Sequence, residues 1–117
     1  MRRDPELIKS ILSKIEECDT YNQFLIINID GYSDNEINYH ILLLREAGLI
    51  IVGETATFGN PYNAPMRLTW EGHEFLGLAK NNNAWNKMKS ATPLFVYEVF
   101  KAALIDLTKN QALLLLK

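Results

Sequence analysis

Residues 32–70 read YSDNEINYHILLLREAGLIIVGETATFGNPYNAPMRLTW, and this stretch decides the fold. Ser33 and Glu36 stand at capping-box spacing, and Tyr32 and Ile37 flank them as a hydrophobic staple would. Ile37, Ile41, Leu44 and Ala47 recur at helical spacing and predict the inward face of a helix. Gly48 falls where a left-handed C-cap belongs, with Leu49 set to fold back on Leu44. Leu49-Ile50-Ile51-Val52 then predicts a strand, with Met66-Arg67-Leu68 as its partner. Between them Gly53 to Pro65 is polar and turn-rich, which predicts a long hairpin tip. Thr69 is placed to cap the next helix, which starts at Trp70.

Upstream, Asp4, Pro5 and Glu6 give a first helix its N-cap, first position and acidic first turn. Leu7, Ile8, Ile11, Leu12 and Ile15 make its apolar stripe. Phe24 to Ile29 is short and β-branched and predicts a strand, closed by the turn Asp30-Gly31. Downstream, Phe75, Leu76 and Leu78 extend the helix begun at Trp70, and Asn81-Asn82-Asn83 interrupts it before Trp85 and Met88. Thr92-Pro93 starts a final helix reaching nearly to Lys117, about 36 Å at 1.5 Å per residue. No internal repeat and no domain boundary is visible, so residues 1–117 are expected to form one α+β domain.

Composition narrows the function classes. Cys18 is the only cysteine of the 117 residues, so no internal disulfide or cysteine-based metal site is possible. Lys9, Ser10, Ser13 and Lys14 break up the N-terminus as a signal peptide, and Lys101, Asp106 and Lys109 break up the apolar C-terminus as a membrane span. A soluble cytoplasmic protein is the expectation. Charge is uneven: residues 1–65 carry five basic against ten acidic side chains, and residues 66–117 carry seven against four.

Tyr39 to Ile50 resembles the end of the recognition helix and the start of the wing in bacterial winged-helix repressors of the arsenic-repressor and multiple-drug-resistance types. Leu68 to Leu76 resembles the helix after that wing. A wider set, Met1-Arg2-Arg3-Asp4, Gly31-Tyr32-Ser33, Tyr39-His40, Glu46 to Ile50, Leu68 to His73 and Trp85-Asn86-Lys87, is similar to the bacterial and prophage family called domain of unknown function 2513. The resemblance implies an α+β winged helix with a small antiparallel sheet and a long C-terminal helix. The family resemblance implies a fold rather than an activity; the likeness to the repressors adds the expectation of a DNA-binding, phage-associated accessory regulator, with Asn35, Asn38, Arg45 and Arg67 as candidate DNA contacts. A helix-turn-helix needs a helix just before the recognition helix. Here that helix is either shortened around Thr20 to Phe24 or missing.

Phosphate neutralisation supplies most non-specific DNA affinity. Yet Asp34, Glu36 and Glu46 surround the candidate readers, and Gly53 to Pro65 contains no Lys or Arg. The alternative is therefore a protein-interaction module on the same scaffold, with Phe58 and Tyr62 as candidate wing-tip contacts. No catalytic, metal or cofactor site is expected. His40 and His73 have no partner histidine at helical ligand spacing, Ser33 is explained by capping, and Cys18 is expected to be buried. Trp70, Phe75 and Trp85 are expected in the core. Leu94, Phe95, Tyr97, Val99, Phe100, Ala103, Leu104, Ile105 and Leu107 make the last helix apolar on most sides. Such a helix must be covered on most sides. A homodimer through Phe100, Leu104, Ile105 and Leu107 is expected, with Leu113 to Leu116 otherwise an exposed apolar tail.

Overall fold

The first helix, α1 (Pro5–Glu16), opens as the sequence predicts, with the Asp4 side chain accepting the backbone N–H groups of Glu6 and Leu7. The computed structural model describes residues 2–57, 60–91 and 97–115, and the side chains of all of these except 54–57, 60–63, 91 and 110–115. The remaining elements are α2 (Asp34–Glu46), β1 (Ile50–Thr57), β2 (Asn60–Leu68), α3 (Trp70–Ala79), α4 (Asn82–Ala91) and α5 (Tyr97–Leu115). This is a mixed α+β chain whose element order is consistent with a winged-helix-like fold. It divides into two compact units, Met1–His73 and Glu74–Lys117.

In the first unit, α1 packs on α2 and β2. Its stripe Leu7, Ile8, Ile11, Leu12 and Ile15 is buried, as are Ile37, Ile41 and Leu44 of α2. Ala47, expected on the same inward face, is the helix C-cap and is exposed. Both ends of α2 close as the sequence dictates. Ser33 and Glu36 form the reciprocal capping box. At the other end Gly48 adopts φ +76°, and Leu49 N–H donates to the Leu44 carbonyl while Gly48 N–H donates to that of Arg45. That pair of bonds is the Schellman stop, and only glycine takes the left-handed position cheaply.

Two expectations fail in the sheet, for one connected reason. The stretch from Gly53 to Pro65 is mostly ladder, not loop: pairing runs from Ile50 opposite Leu68 out to Thr57 opposite Asn60. A register shift after Ile51, which faces Arg67, puts Val52 opposite Pro65 and absorbs the extra residue. Residues 24–29, predicted as a strand, are extended but not part of a sheet. They alternate as a strand would, with Ile27 buried while Phe24 and Ile26 are exposed. Leu25 N–H donates to the Pro65 carbonyl at 2.9 Å. Pro65 has no N–H to return, so the ladder cannot propagate from that point. Phe24 instead lies across β1, where a Cβ on Gly53 would collide with its ring and come within 2.8 Å of Met66 Sδ. No helix lies between α1 and α2 among the described residues.

In the second unit, α4 packs against α5. Asn81 caps α4, its side-chain Oδ1 accepting Ala84 N–H at 3.2 Å. Trp85 and Phe100 meet edge to face at 5.8 Å between ring centres, and Phe75 meets Tyr97 at 5.2 Å. The predicted start of the last helix at Thr92-Pro93, with Leu94 and Phe95, lies outside the described residues.

Candidate functional site

Two networks in the first unit join Asp4, Tyr32, His40, Gly48, Leu49, Thr69 and Gly72, all of them among the residues behind the family resemblance. In the first, Asp4 works three ways: it caps α1, its Oδ2 accepts the Tyr32 hydroxyl at 2.9 Å, and its backbone N–H donates to His40 Nε2 at 2.9 Å. His40 Nδ1 lies 2.8 Å from the Glu36 carbonyl oxygen. With Nε2 accepting an N–H, the ring is the tautomer that carries its proton on Nδ1 and donates it to Glu36. His40 is buried with both nitrogens used, which is a structural histidine. Burial first, and then the hydrogen bond and negative charge of Asp4, push the Tyr32 phenol above its ordinary range, with Glu6 and Glu36 adding to the rise.

The second network ties the α2 stop to α3. Thr69 Oγ1 donates to the Gly48 carbonyl and accepts Gly72 N–H at 3.0 Å, while Thr69 N–H donates to the Leu49 carbonyl at 3.0 Å. A Cβ on Gly72 would overlap the Leu49 carbonyl oxygen, so glycine is required where the helix meets that backbone.

The same junction turns Trp70 outward. Gly72, Phe75, Leu76 and Ala79 form the buried face of α3. Trp70, two residues before Gly72, lies about 160° round the helix from it. The expected core tryptophan is therefore 81% exposed, whereas Phe75 and Trp85 are buried as predicted. Tyr21, just after α1, is 72% exposed. Both rings line one open groove of about 460 Å³, with Ile15, Glu16, Asp19 and Arg67. His73 lies beside it, its Nδ1 3.7 Å from Glu16 Oε2. Cys18, expected to be buried, is exposed on the groove wall because α1 has ended and turned there; its Sγ donates to the Lys14 carbonyl. Periodicity in residues 70–79 could have revealed the outward Trp70, since it is out of phase with Phe75, Leu76 and Ala79. Nothing local marks Tyr21 as its neighbour.

The DNA-contact candidates do not come together in this groove. Asn35, Asn38 and Arg45 are exposed on α2, interspersed with exposed Asp34 and Glu46. Arg67 lines the groove instead, its Nη1 donating to the Leu68 carbonyl at 3.1 Å. Phe58 lies outside the described residues; Tyr62 stands opposite Thr55 in the ladder, with its side chain outside them. Of the dimer candidates, Phe100 and Leu104 are fully buried within the chain, and Ile105 and Leu107 are half-buried. The side chains of Leu113 to Leu116 lie outside the described residues. Among the described residues there is no cluster of three metal-ligating side chains, and no helix is long and apolar enough to cross a membrane.

The family model described as hypothetical protein (DUF2513) matches residues 2–93. The chain is also similar to an uncharacterized protein of Haemophilus influenzae, 33% identical over 91 residues that cover 77% of each chain. No solved structure matches it.

Proposed function

The chain belongs to the family described as hypothetical protein DUF2513, and on that premise we propose that it is a protein-interaction module. The observation that carries the proposal is Trp70, 81% exposed beside an exposed Tyr21 on the wall of one groove. Burying an aromatic of roughly 150–250 Å² at about 25 cal/mol per Å² is worth on the order of 4–6 kcal/mol. Two such rings left in water beside an arginine have the composition of interface anchors, where Trp, Tyr and Arg dominate. A scattered exposed apolar residue is ordinary; two rings lining one concavity are not.

Electrostatics support the same reading against duplex DNA. The first unit carries six basic and eleven acidic side chains, a formal net of −5, and the exposed face of α2 shares that sign. The helix that should brace a recognition helix is also missing among the described residues. DNA binding through Asn35 and Asn38 is the competing reading, because both are exposed on one helix. Titrating random duplex at about 50 mM salt separates the two. The proposal expects no binding there. Affinity that falls steeply with salt and disappears in an Asn35→Ala/Asn38→Ala variant overturns it.

A further inference from the structure

The groove beside Trp70 has a charge as well as a shape. Glu16 ends α1 and Asp19 follows it, so two carboxylates and two exposed aromatic rings line the same concavity. Arg67 is the opposing charge on that wall, and its Nη1 is turned back onto the Leu68 carbonyl at 3.1 Å. From the combination of aromatic walls, carboxylates and a unit of formal net −5, we infer that the groove takes a basic partner segment. A Lys or Arg side chain enters between Trp70 and Tyr21 toward Glu16 and Asp19. The inference rests on reading the groove as a protein-docking surface and adds the chemistry of the partner.

Each part has a physical role. A cation over an indole face is attracted by the ring quadrupole, most strongly for tryptophan and most often for a guanidinium. The carboxylates supply the longer-range attraction that orients a basic segment before it docks. A nucleic acid would find the aromatic rings equally suited to stacking, but its phosphates would meet Glu16 and Asp19. An acidic segment would be met by Arg67 and by His73, whose Nδ1 lies 3.7 Å from Glu16 Oε2, but also by the two carboxylates.

The test uses the full chain and labelled probes followed by fluorescence anisotropy: hexa-arginine amide, hexa-glutamate and the oligonucleotide dT12. Hexa-arginine is expected to bind, with the other two weaker by at least about tenfold. Trp70→Ala and, separately, Glu16→Gln/Asp19→Asn should each weaken it by about tenfold, whereas Asn35→Ala/Asn38→Ala should not. Arg67→Ala should tighten hexa-arginine. Full binding by Trp70→Ala would mean bulk charge and overturns the site. Equal binding of dT12, or loss of binding in Arg67→Ala, overturns the basic-segment assignment in favour of an anion. A dimer that Trp70→Ala abolishes would assign the groove to a second copy of the chain. A photo-crosslinker at position 70 in living cells distinguishes the two levels of failure. A discrete protein adduct without hexa-arginine binding overturns the basic-segment inference alone, and neither signal overturns the docking reading too.

Discussion

Replacing Asp4 with alanine tests the network that joins the start of α1 to α2. The side chain accepts Glu6 N–H at 2.9 Å and Leu7 N–H at 3.3 Å, and its other oxygen accepts the Tyr32 hydroxyl at 2.9 Å. Loss of an N-cap costs about 1 kcal/mol, and loss of a hydrogen bond to a charged group about 1.5–3 kcal/mol. Asp4→Ala should therefore destabilise the chain by about 2–4 kcal/mol in urea unfolding followed by far-UV circular dichroism. Asp4→Asn, which can still cap α1 and meet the hydroxyl, should lose less than about 1 kcal/mol. Hydrogen exchange of the Glu6 and Leu7 amides should speed up in Asp4→Ala first. The Tyr32 phenol supplies a second readout. Its pKa stands above the ordinary 10.0, chiefly through burial and then through Asp4. The folded chain therefore holds that proton more tightly than the unfolded chain does. The contribution to stability is complete below pH 10 and is lost as pH rises from there through the folded-state value. In a 295 nm titration Tyr32→Phe should remove a late-titrating tyrosine, and Asp4→Ala should bring that step to lower pH. An Asp4→Ala variant within about 0.5 kcal/mol of the parent, with the late-titrating step unchanged, would refute the network's role.

Three further outcomes follow from the same geometry. Gly72→Ala should destabilise by about 1–3 kcal/mol because its methyl meets the Leu49 backbone. Gly77→Ala, in the same helix with nothing within 4 Å of the added methyl, should stabilise by about 0.5–1 kcal/mol; equal thermal shifts in both would contradict the close approach. Long-range nitrogen–proton correlation spectra should find His40 protonated on Nδ1 and bare on Nε2, and the reverse tautomer would break the bond assigned to Asp4 N–H. Iodide should quench the emission of Trp70 and spare Trp85, and Trp70→Ala should change stability by less than about 0.5 kcal/mol. A large loss would return Trp70 to the core.

Local chemistry made much of this fold legible. Asp4, Ser33, Glu36, Gly48 and Thr69 act within a few residues of themselves, so their caps can be read from spacing. Their longer-range bonds could not be read that way: Tyr32 and His40 reach Asp4 across 28 and 36 positions. The β-hairpin was underestimated because Pro61 and Pro65 read as turn residues, whereas the ladder accommodates both and a register shift. Residues 24–29 carry a strand's alternation, but their pairing depends on a proline 40 positions away. The candidate site was the least legible part. Trp70 looks like core by residue type, and only its phase against Gly72 and Leu76 places it in solvent.

The central claim is that this chain meets its partner through the groove at Trp70 and not through α2. The most direct measurement is photo-crosslinking in living cells, with the crosslinker placed at position 70 in one variant and at position 38 in another. The account predicts a discrete protein adduct from position 70 that disappears on Tyr21→Ala, and none from position 38. Adducts to DNA from position 38, with position 70 silent, would contradict it.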